Sequence, residues 1–269
     1  KTNYDNCEII IVENNSCKDT FSFYRRIAPG EEKVHGVQTF QGKLSHNMDI
    51  KVVVWENEFN YSKLNNFGVQ FATGKYYIFL NNDVEMIGTD WILRLSGDCH
   101  RNKVGVTGVK LYYPDDTVQH AGIVIGIGGS KRGIAANMFQ GLPREEHGYQ
   151  NRASLQADYS AVTAACMMVK KDVFDAVDGF TEKLQVAFND VDFCLKVRKK
   201  GYLVMYDPKI EGYHYESKSR GAEDTPEKVR RFQGEIDTFR VLWKDILKDG
   251  DPYYNRNFSL VSNQYLLGK

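Results

Sequence analysis

Three short runs of β-branched and aromatic residues punctuate the first eighty positions: Glu8-Ile-Ile-Ile-Val12, Lys51-Val-Val-Val-Trp55 and Tyr76-Tyr-Ile-Phe-Leu80. Each is continuous rather than alternating, which is the pattern of a strand buried on both faces. Between the second and third, Leu64, Phe67 and Phe71 recur at helical spacing and predict a helix over 61–73, with Gly74 as its stop. A further helix is predicted over 91–99. Buried strands joined through a helix imply a parallel sheet with right-handed crossovers. Residues 1–100 therefore read as α/β.

The middle of the chain changes character. A strand is predicted over 104–113 and another within 118–129, while 126–152 is rich in glycine and charge and reads as a long excursion. Ala161–Val169 is the most apolar stretch and should be a central strand. A short helix is expected over 171–177, stopped by Gly179. A longer one is expected over 190–200, with Val191, Leu195 and Val197 on its face and Gly201 as its stop. A strand follows over 202–206. Asp224-Thr-Pro-Glu227 combines a cap, a helix-start proline and a capping-box glutamate. From there Val229, Phe232, Ile236, Phe239, Leu242-Trp243 and Ile246-Leu247 recur at helical spacing, predicting one long amphipathic helix. The expected organisation is an α/β domain over 1–222, with the helix and tail of 223–269 packed on it. An open parallel sheet usually places its first strand centrally. The first run here follows only seven residues, so an N-terminal βα unit is expected to be missing.

Composition narrows the partners. A chain of 269 residues that is 42% hydrophobic can build a core without disulfides and is too apolar for disorder. Its 35 Lys+Arg balance 35 Asp+Glu, so the basic excess of a nucleic-acid binder is absent. No apolar run approaches the roughly 18 residues of a membrane span, and no leader pattern is visible near Lys1. The five cysteines, Cys7, Cys17, Cys99, Cys166 and Cys194, form no C-x-x-C pair and read as reduced thiols of a cytosolic protein.

Candidate chemistry gathers where strands end. Asn81-Asn82-Asp83, with Glu85 close behind, follows the run 76–80, at the carboxyl edge where open α/β sheets bind ligands. Oxygen ligands there suit a hard divalent cation bridging Asp83 to a diphosphate, although Asn-Asn-Asp is also ordinary turn chemistry. Asp190 and Asp192 open the 190–200 helix. They read either as first-turn acids complementing the dipole or as a carboxylate placed as general base. His214 gains weight from falling among the same edge loops, since a lone histidine is more often structural. Lys218 and Arg220, in Ser217-Lys-Ser-Arg-Gly221, suit closure over phosphates or simply a solvated loop. Glu13 and Asn14 follow the first run and can meet a base or ribose, or cap the next segment. Gly126-Ile-Gly-Gly-Ser-Lys131 fits neither phosphate-loop pattern.

The ordered set EIIIVENNS (8–16), NYSKLNNFG (60–68), GKYYIFLNNDVE (74–85), DVDFCLKVRKKG (190–201) and His214 resembles the family 2 glycosyltransferases of the GT-A fold. The likeness is strongest to the branch building bacterial cell-surface polysaccharides, which includes rhamnosyltransferase-like enzymes. It implies a Rossmann-like, mostly parallel central sheet flanked by helices, and an inverting transfer from a UDP-, dTDP- or GDP-linked sugar to a glycan or lipid-linked glycan. Mg²⁺ or Mn²⁺ is the implied cofactor, held by Asp83 and His214, with Asp190 as catalytic base. Glu13, Asn14, Asn66, Asn81, Asn82 and Asp192 fall at donor-binding positions, with Lys218 and Arg220 beside the diphosphate. Asn81 stands where the family's D-x-D has its first acid, and the family's opening strand and nucleotide-holding loop are absent. The implied location is the cytoplasm, peripheral at the inner membrane face. The 126–152 excursion would serve either as acceptor surface or as the contact of a homo-oligomer. Two alternatives stay open: a nucleotidyltransferase, and a non-catalytic nucleotide- or glycan-binding module.

Overall fold

The computed structural model describes residues 2–44, 48–127, 133–216 and 225–268. Two sheets carry the architecture. The first has the order β1-β4-β3-β2, from β1 (Glu8–Glu13), β2 (Gly30–Val34), β3 (Val37–Lys43) and β4 (Asp49–Val54). Helix α1 (Lys18–Ile27) covers it, with Phe21, Tyr24 and Ile27 packing on Phe40, Ile50 and Val52. The second is built on β5 (Tyr76–Leu80), β7 (Val104–Tyr112), β11 (Ala157–Asp158), β12 (Cys166–Lys170) and β13 (Leu203–His214) in the order β11-β13-β7-β12-β5. Short strands β6 (Val84–Met86) and β8 (Val118–His120) pair with β13 and β7, and β9 (Ile123–Ile125) pairs with β10 (Ala135–Asn137).

The continuous apolar runs of the second sheet are explained by two cores. Alternate residues of a strand point to opposite faces. Tyr77 and Phe79 of β5, with Met167 and Val169 of β12, enter the large core shared with helices α4 (Lys171–Ala176) and α5 (Asn189–Lys199). Ile78, Cys166 and Met168 enter the opposite one, closed by Trp91, Ile92, Leu95 and Cys99 of α3 (Trp91–Cys99). Helix α6 (Pro226–Leu242), capped by Thr225, adds Ile236 and Phe239 to the large core, and α7 (Lys244–Asp249) follows after a break at Trp243.

The structure departs from the sequence reading in instructive places. Strand pairing is mixed: β1 with β4 and β7 with β13 run parallel, and every other described pair runs antiparallel. The hairpin β2–β3 accounts for part of this; its polar strands gave no buried-strand signal. β1 is half-buried rather than buried over Glu8–Val12, because among the described residues it pairs on one side only. The helix from Tyr61 is α2 (Tyr61–Gly68), tightening into a 3-10 turn at Val69–Phe71. The strand within 118–129 is broken at Gly122, whose φ of +89° suits glycine and whose missing Cβ leaves room for the Tyr159 ring. Ala161–Ala165 precedes β12 as a turn rather than forming its first half. Glu227 is the second residue of α6, so it is not the third-position partner of a capping box. All five cysteines are free; Cys99, Cys166 and Cys194 are buried, whereas Cys17 is exposed.

Candidate active site

Main-chain pairing brings the first two groups together. The Asn81 N–H donates to the Ala165 carbonyl at 2.9 Å, and the Asn81 carbonyl accepts from Val84 N–H, so the chain turns tightly after β5. β6 then pairs with the end of β13, placing Val84 opposite His214, and Tyr215 N–H donates to the Asp83 carbonyl. As a result Oδ1 of Asp83 lies 3.1 Å from Nε2 of His214. That oxygen is buried and, apart from the His214 ring nitrogen, has no hydrogen-bond partner. Nε2 also faces Nδ2 of Asn81 at 3.4 Å, while Nδ1 faces Oε1 of Gln119 at 2.7 Å.

Asp190 occupies the first turn of α5. Its Oδ2 accepts from Ala164 N–H at 3.2 Å and its Oδ1 from Val191 N–H at 2.8 Å. The residue is half-buried, but protein crowds the carboxyl group. Desolvation pushes its pKa above the ordinary value, with the main-chain and Thr163 hydrogen bonds pulling back. A raised proton affinity at a sheet edge suits a general base.

The turn 163–165 ties these groups into one edge. Thr163 N–H donates to Nε2 of His120 at 3.4 Å, Ala164 N–H meets Asp190, the Ala164 carbonyl accepts from the Tyr61 hydroxyl at 2.9 Å, and the Ala165 carbonyl holds Asn81. Burial drives the pKa of His120 down to about 4, opposed by the Asn137 hydrogen bond, so the ring is neutral near pH 7.

The loop leading into α5 is clamped from two sides. From α2, Asn60 Nδ2 donates to the Glu182 carbonyl at 2.9 Å, Ser62 Oγ to the Leu184 carbonyl at 2.6 Å, and Tyr61 N–H to the Gln185 carbonyl at 2.8 Å. From α6, the buried carboxylate of Glu235 accepts Val186 N–H at 2.7 Å. Phe188, in the left-handed region at φ 62°, then delivers the chain into α5 and packs against Phe232 and Phe239.

Other sequence candidates are placed elsewhere. Asp192 is 1% exposed and accepts the Trp243 indole N–H at 2.8 Å. Two helical positions turn a side chain by about 200°, so it faces the core and not the edge that holds Asp190. Asn66 spends its amide on Phe180, accepting its N–H and donating to its carbonyl, both at 2.9 Å. Asn82 is exposed in the turn. Glu13 is buried at the end of β1, with one oxygen taking Ser16 N–H and the other without a partner. Asn14 donates to the carbonyls of Trp55 and Asn57. No hydrogen bond links Glu13, Asn14 or Asn66 to Asp83 or Asp190 among the described residues. Lys218 and Arg220 lie outside the described residues. A cavity of about 680 Å³ opens beside Trp55 and Asn57, but Glu31, Glu32 and Glu56 against Lys33 make it a poor diphosphate site.

Sequence reasoning missed Gln119, His120, Thr163 and Glu235. The signal available was polarity inside apolar runs: Gln119-His120 interrupts a predicted strand, and Glu235 falls on the apolar face of the last helix.

A model of the glycosyl transferase family 2 matches residues 1–177, about two-thirds of the sequence. The chain belongs to this family. The family 2 chain is also 42% identical over 269 residues to the uncharacterized protein y4gI of Sinorhizobium fredii (strain NBRC 101917 / NGR234), covering 99% of this chain and 27% of that protein. It is 30% identical over 266 residues to the O-antigen biosynthesis protein RfbC of Myxococcus xanthus, covering 97% and 19%. The chain thus spans about a quarter or less of the curated relatives it matches. Among solved structures, GalNAc-T7 with UDP, GalNAc and Mn²⁺ superposes with a TM-score of 0.57 at 12% identity, over 93% of this chain and 50% of that one. The mannosyltransferase PcManGT of Pyrobaculum calidifontis, in complex with GDP-Man and Mn²⁺, gives 0.54 at 15% identity, over 88% and 55%. These likenesses establish the GT-A fold for the family 2 chain. Asp190 and His214 lie beyond the stretch matched by the family model, but within the lengths shared with both relatives.

Proposed function

We propose that this domain transfers a sugar from a nucleotide-diphosphate donor to a hydroxyl of a glycan or lipid-linked glycan acceptor, with inversion, in the assembly of a bacterial surface polysaccharide. The observation that carries the reading is the buried Oδ1 of Asp83, which meets only Nε2 of His214, on the same edge as the desolvated Asp190. An oxygen and a nitrogen acceptor aimed at one another fit a divalent cation, Mg²⁺ or Mn²⁺. Among the described residues no group of three or more His, Cys, Asp or Glu surrounds a metal position. Asp83 and His214 would therefore hold the ion from one side, leaving its remaining positions to the donor diphosphate and water. When bound, the cation supplies positive charge to the departing nucleoside diphosphate.

Asp190 accepts the proton of the attacking hydroxyl as that oxygen closes on the anomeric carbon from the face opposite the leaving group, which inverts configuration. Its raised proton affinity makes it the stronger base. The amide of Ala164 and the hydroxyl of Thr163 keep the carboxylate aimed at the edge, and Tyr61 braces that turn through the Ala164 carbonyl. Positive charge developing on the sugar ring is met by Asp190 while it is still ionised. Among the described residues no helix is long and apolar enough to cross a membrane; the proposed setting is peripheral, at the cytoplasmic membrane face.

The test is to incubate the protein with UDP-, dTDP- and GDP-sugars and Mn²⁺ or Mg²⁺, with a polysaccharide-derived acceptor, and analyse the products. Release of nucleoside diphosphate with glycosylated acceptor is expected, lost in Asp83→Ala and Asp190→Asn. Release of pyrophosphate, or activity untouched by both substitutions, would overturn the reading.

A further inference from the structure

Gln119 is a buried side chain, 5% exposed, between Val118 and His120 on β8, and both hydrogens of its amide are used. Its amide nitrogen, Nε2, donates to the His214 carbonyl at 3.3 Å and to Oε2 of Glu216 at 3.2 Å. Neither partner has a hydrogen to give. The amide is thereby oriented with Oε1 toward the His214 ring, 2.7 Å from Nδ1. A carbonyl oxygen accepts and cannot donate, so Nδ1 must carry a hydrogen. The other ring nitrogen, Nε2, is then free to present its lone pair. It points at the buried oxygen of Asp83, 3.1 Å away, while the Asn81 amide approaches from 3.4 Å.

We infer that Gln119 is a positioning residue for the cation site: it fixes the Nδ1–H tautomer of His214 and the plane of its ring, so that Nε2 and Asp83 Oδ1 converge on one divalent ion. The inference rests on the cation reading given above. Two acceptors 3.1 Å apart repel unless a proton or a cation lies between them. With the hydrogen on Nδ1, Nε2 is the ring nitrogen left to face a cation. Hydrogen bonds of this kind behind a ligating histidine orient the ring and raise its basicity, and their loss typically lowers metal affinity about 10–100-fold. Glu216 contributes one step further out. By accepting from Gln119 Nε2 it keeps the amide from turning over, which would present a donor to Nδ1 and hand the ring's hydrogen to Nε2, blocking the metal position.

The test uses the full chain with imidazole-¹⁵N histidine, with and without Mg²⁺, and Mn²⁺ binding followed by the loss of free-ion EPR signal, alone and with UDP or GDP. Three proteins are compared: wild type; Gln119→Met, which is near in volume but has no acceptor; and the exchange Gln119→Glu with Glu216→Gln. The exchange keeps an acceptor toward Nδ1 and the link to position 216, and gives up the donation to the His214 carbonyl. In wild type, Nδ1 of His214 is expected to be protonated with and without Mg²⁺, with Nε2 moving on Mg²⁺ addition. Gln119→Met is expected to mix the two tautomers and weaken Mn²⁺ binding about 10–100-fold, and the exchange to restore both. Circular dichroism shows which variants are folded, and should Gln119→Met fail to fold, Glu216→Leu carries the same tautomer test from the surface. Wild-type binding of Mn²⁺ with unchanged affinity and tautomer in the folded variants would overturn the role of Gln119 alone. No Mn²⁺ binding by wild type, with or without nucleotide, would overturn the cation reading itself.

Discussion

Removing one indole N–H should weaken the whole domain measurably. Trp243 lies at the break between α6 and α7, and its Nε1–H reaches Oδ1 of Asp192 at 2.8 Å. The pair is nearly out of water, at 6% and 1% exposure, and Oδ2 of Asp192 already lacks a hydrogen-bond partner, with Lys196 Nζ at 3.9 Å. Trp243→Phe takes a hydrogen bond from a buried carboxylate, a loss of about 1.5–3 kcal/mol. The smaller ring leaves a void worth about 1 kcal/mol more. At about 2 °C per kcal/mol for a chain of this size, the melting temperature should fall by roughly 5–8 °C. Asp192→Ala orphans the indole instead, and the double variant orphans neither group. The combined loss should therefore fall short of the sum by about 1.5–3 kcal/mol in a double-mutant cycle from urea denaturation. Losses that add to within about 0.5 kcal/mol would refute the reasoning, because they would mean that the two groups do not depend on one another.

Three further outcomes are expected. Folding raises the proton affinity of Asp190, so its contribution to stability is present below its ordinary pKa of 3.8 and is lost as pH rises through the raised folded value; Asp190→Asn should melt higher than wild type at pH 7.5, with the gap closing toward pH 4, while turnover disappears. His120 works in the opposite sense: its pKa falls from 6.5 to about 4, so its contribution is present above 6.5 and lost as pH falls toward 4, a difference of roughly 3 kcal/mol that His120→Gln should remove from the acid side of the melting profile. Asn66→Ala strands the N–H and carbonyl of buried Phe180 and should cost about 1–3 kcal/mol in urea denaturation, with donor KM unchanged; a raised KM at unchanged stability would return Asn66 to the donor site.

Much of the second sheet was legible because its runs are apolar on both faces, a local property that survives any choice of neighbours. Asp83, Asp190 and His214 were legible as candidates because each follows or opens an element with clear start and stop signals. Pairing direction was not, since β12 reads the same whether it enters the sheet parallel or antiparallel. The hairpin β2–β3 escaped because Gly30–Lys43 is largely polar and solvent-facing on one side. Asp192 was misplaced because adjacency in sequence suggested a shared task, whereas helical rotation sends it to Trp243, 51 residues on. The turn 163–165 was hidden inside an apolar stretch, and its value lies in main-chain groups whose partners come from four different elements. Nothing in side-chain chemistry announces such a turn.

The clamp on the loop before α5 also bears on when the site comes into being during synthesis. Its ties join Asn60 to Glu182 across 122 positions and Val186 to Glu235 across 49. Contacts so distant along the chain close late, after the loop entropy between them has been lost. The pair Asp83 and His214 can assemble once β13 has joined its sheet. The turn into α5 just ahead of Asp190, however, is fully held only when Glu235 and Phe239 have emerged. A nascent chain halted before residue 235 would hold the Asp83–His214 edge but lack the Glu235 tie on the turn into α5, so edge and turn are completed at different times.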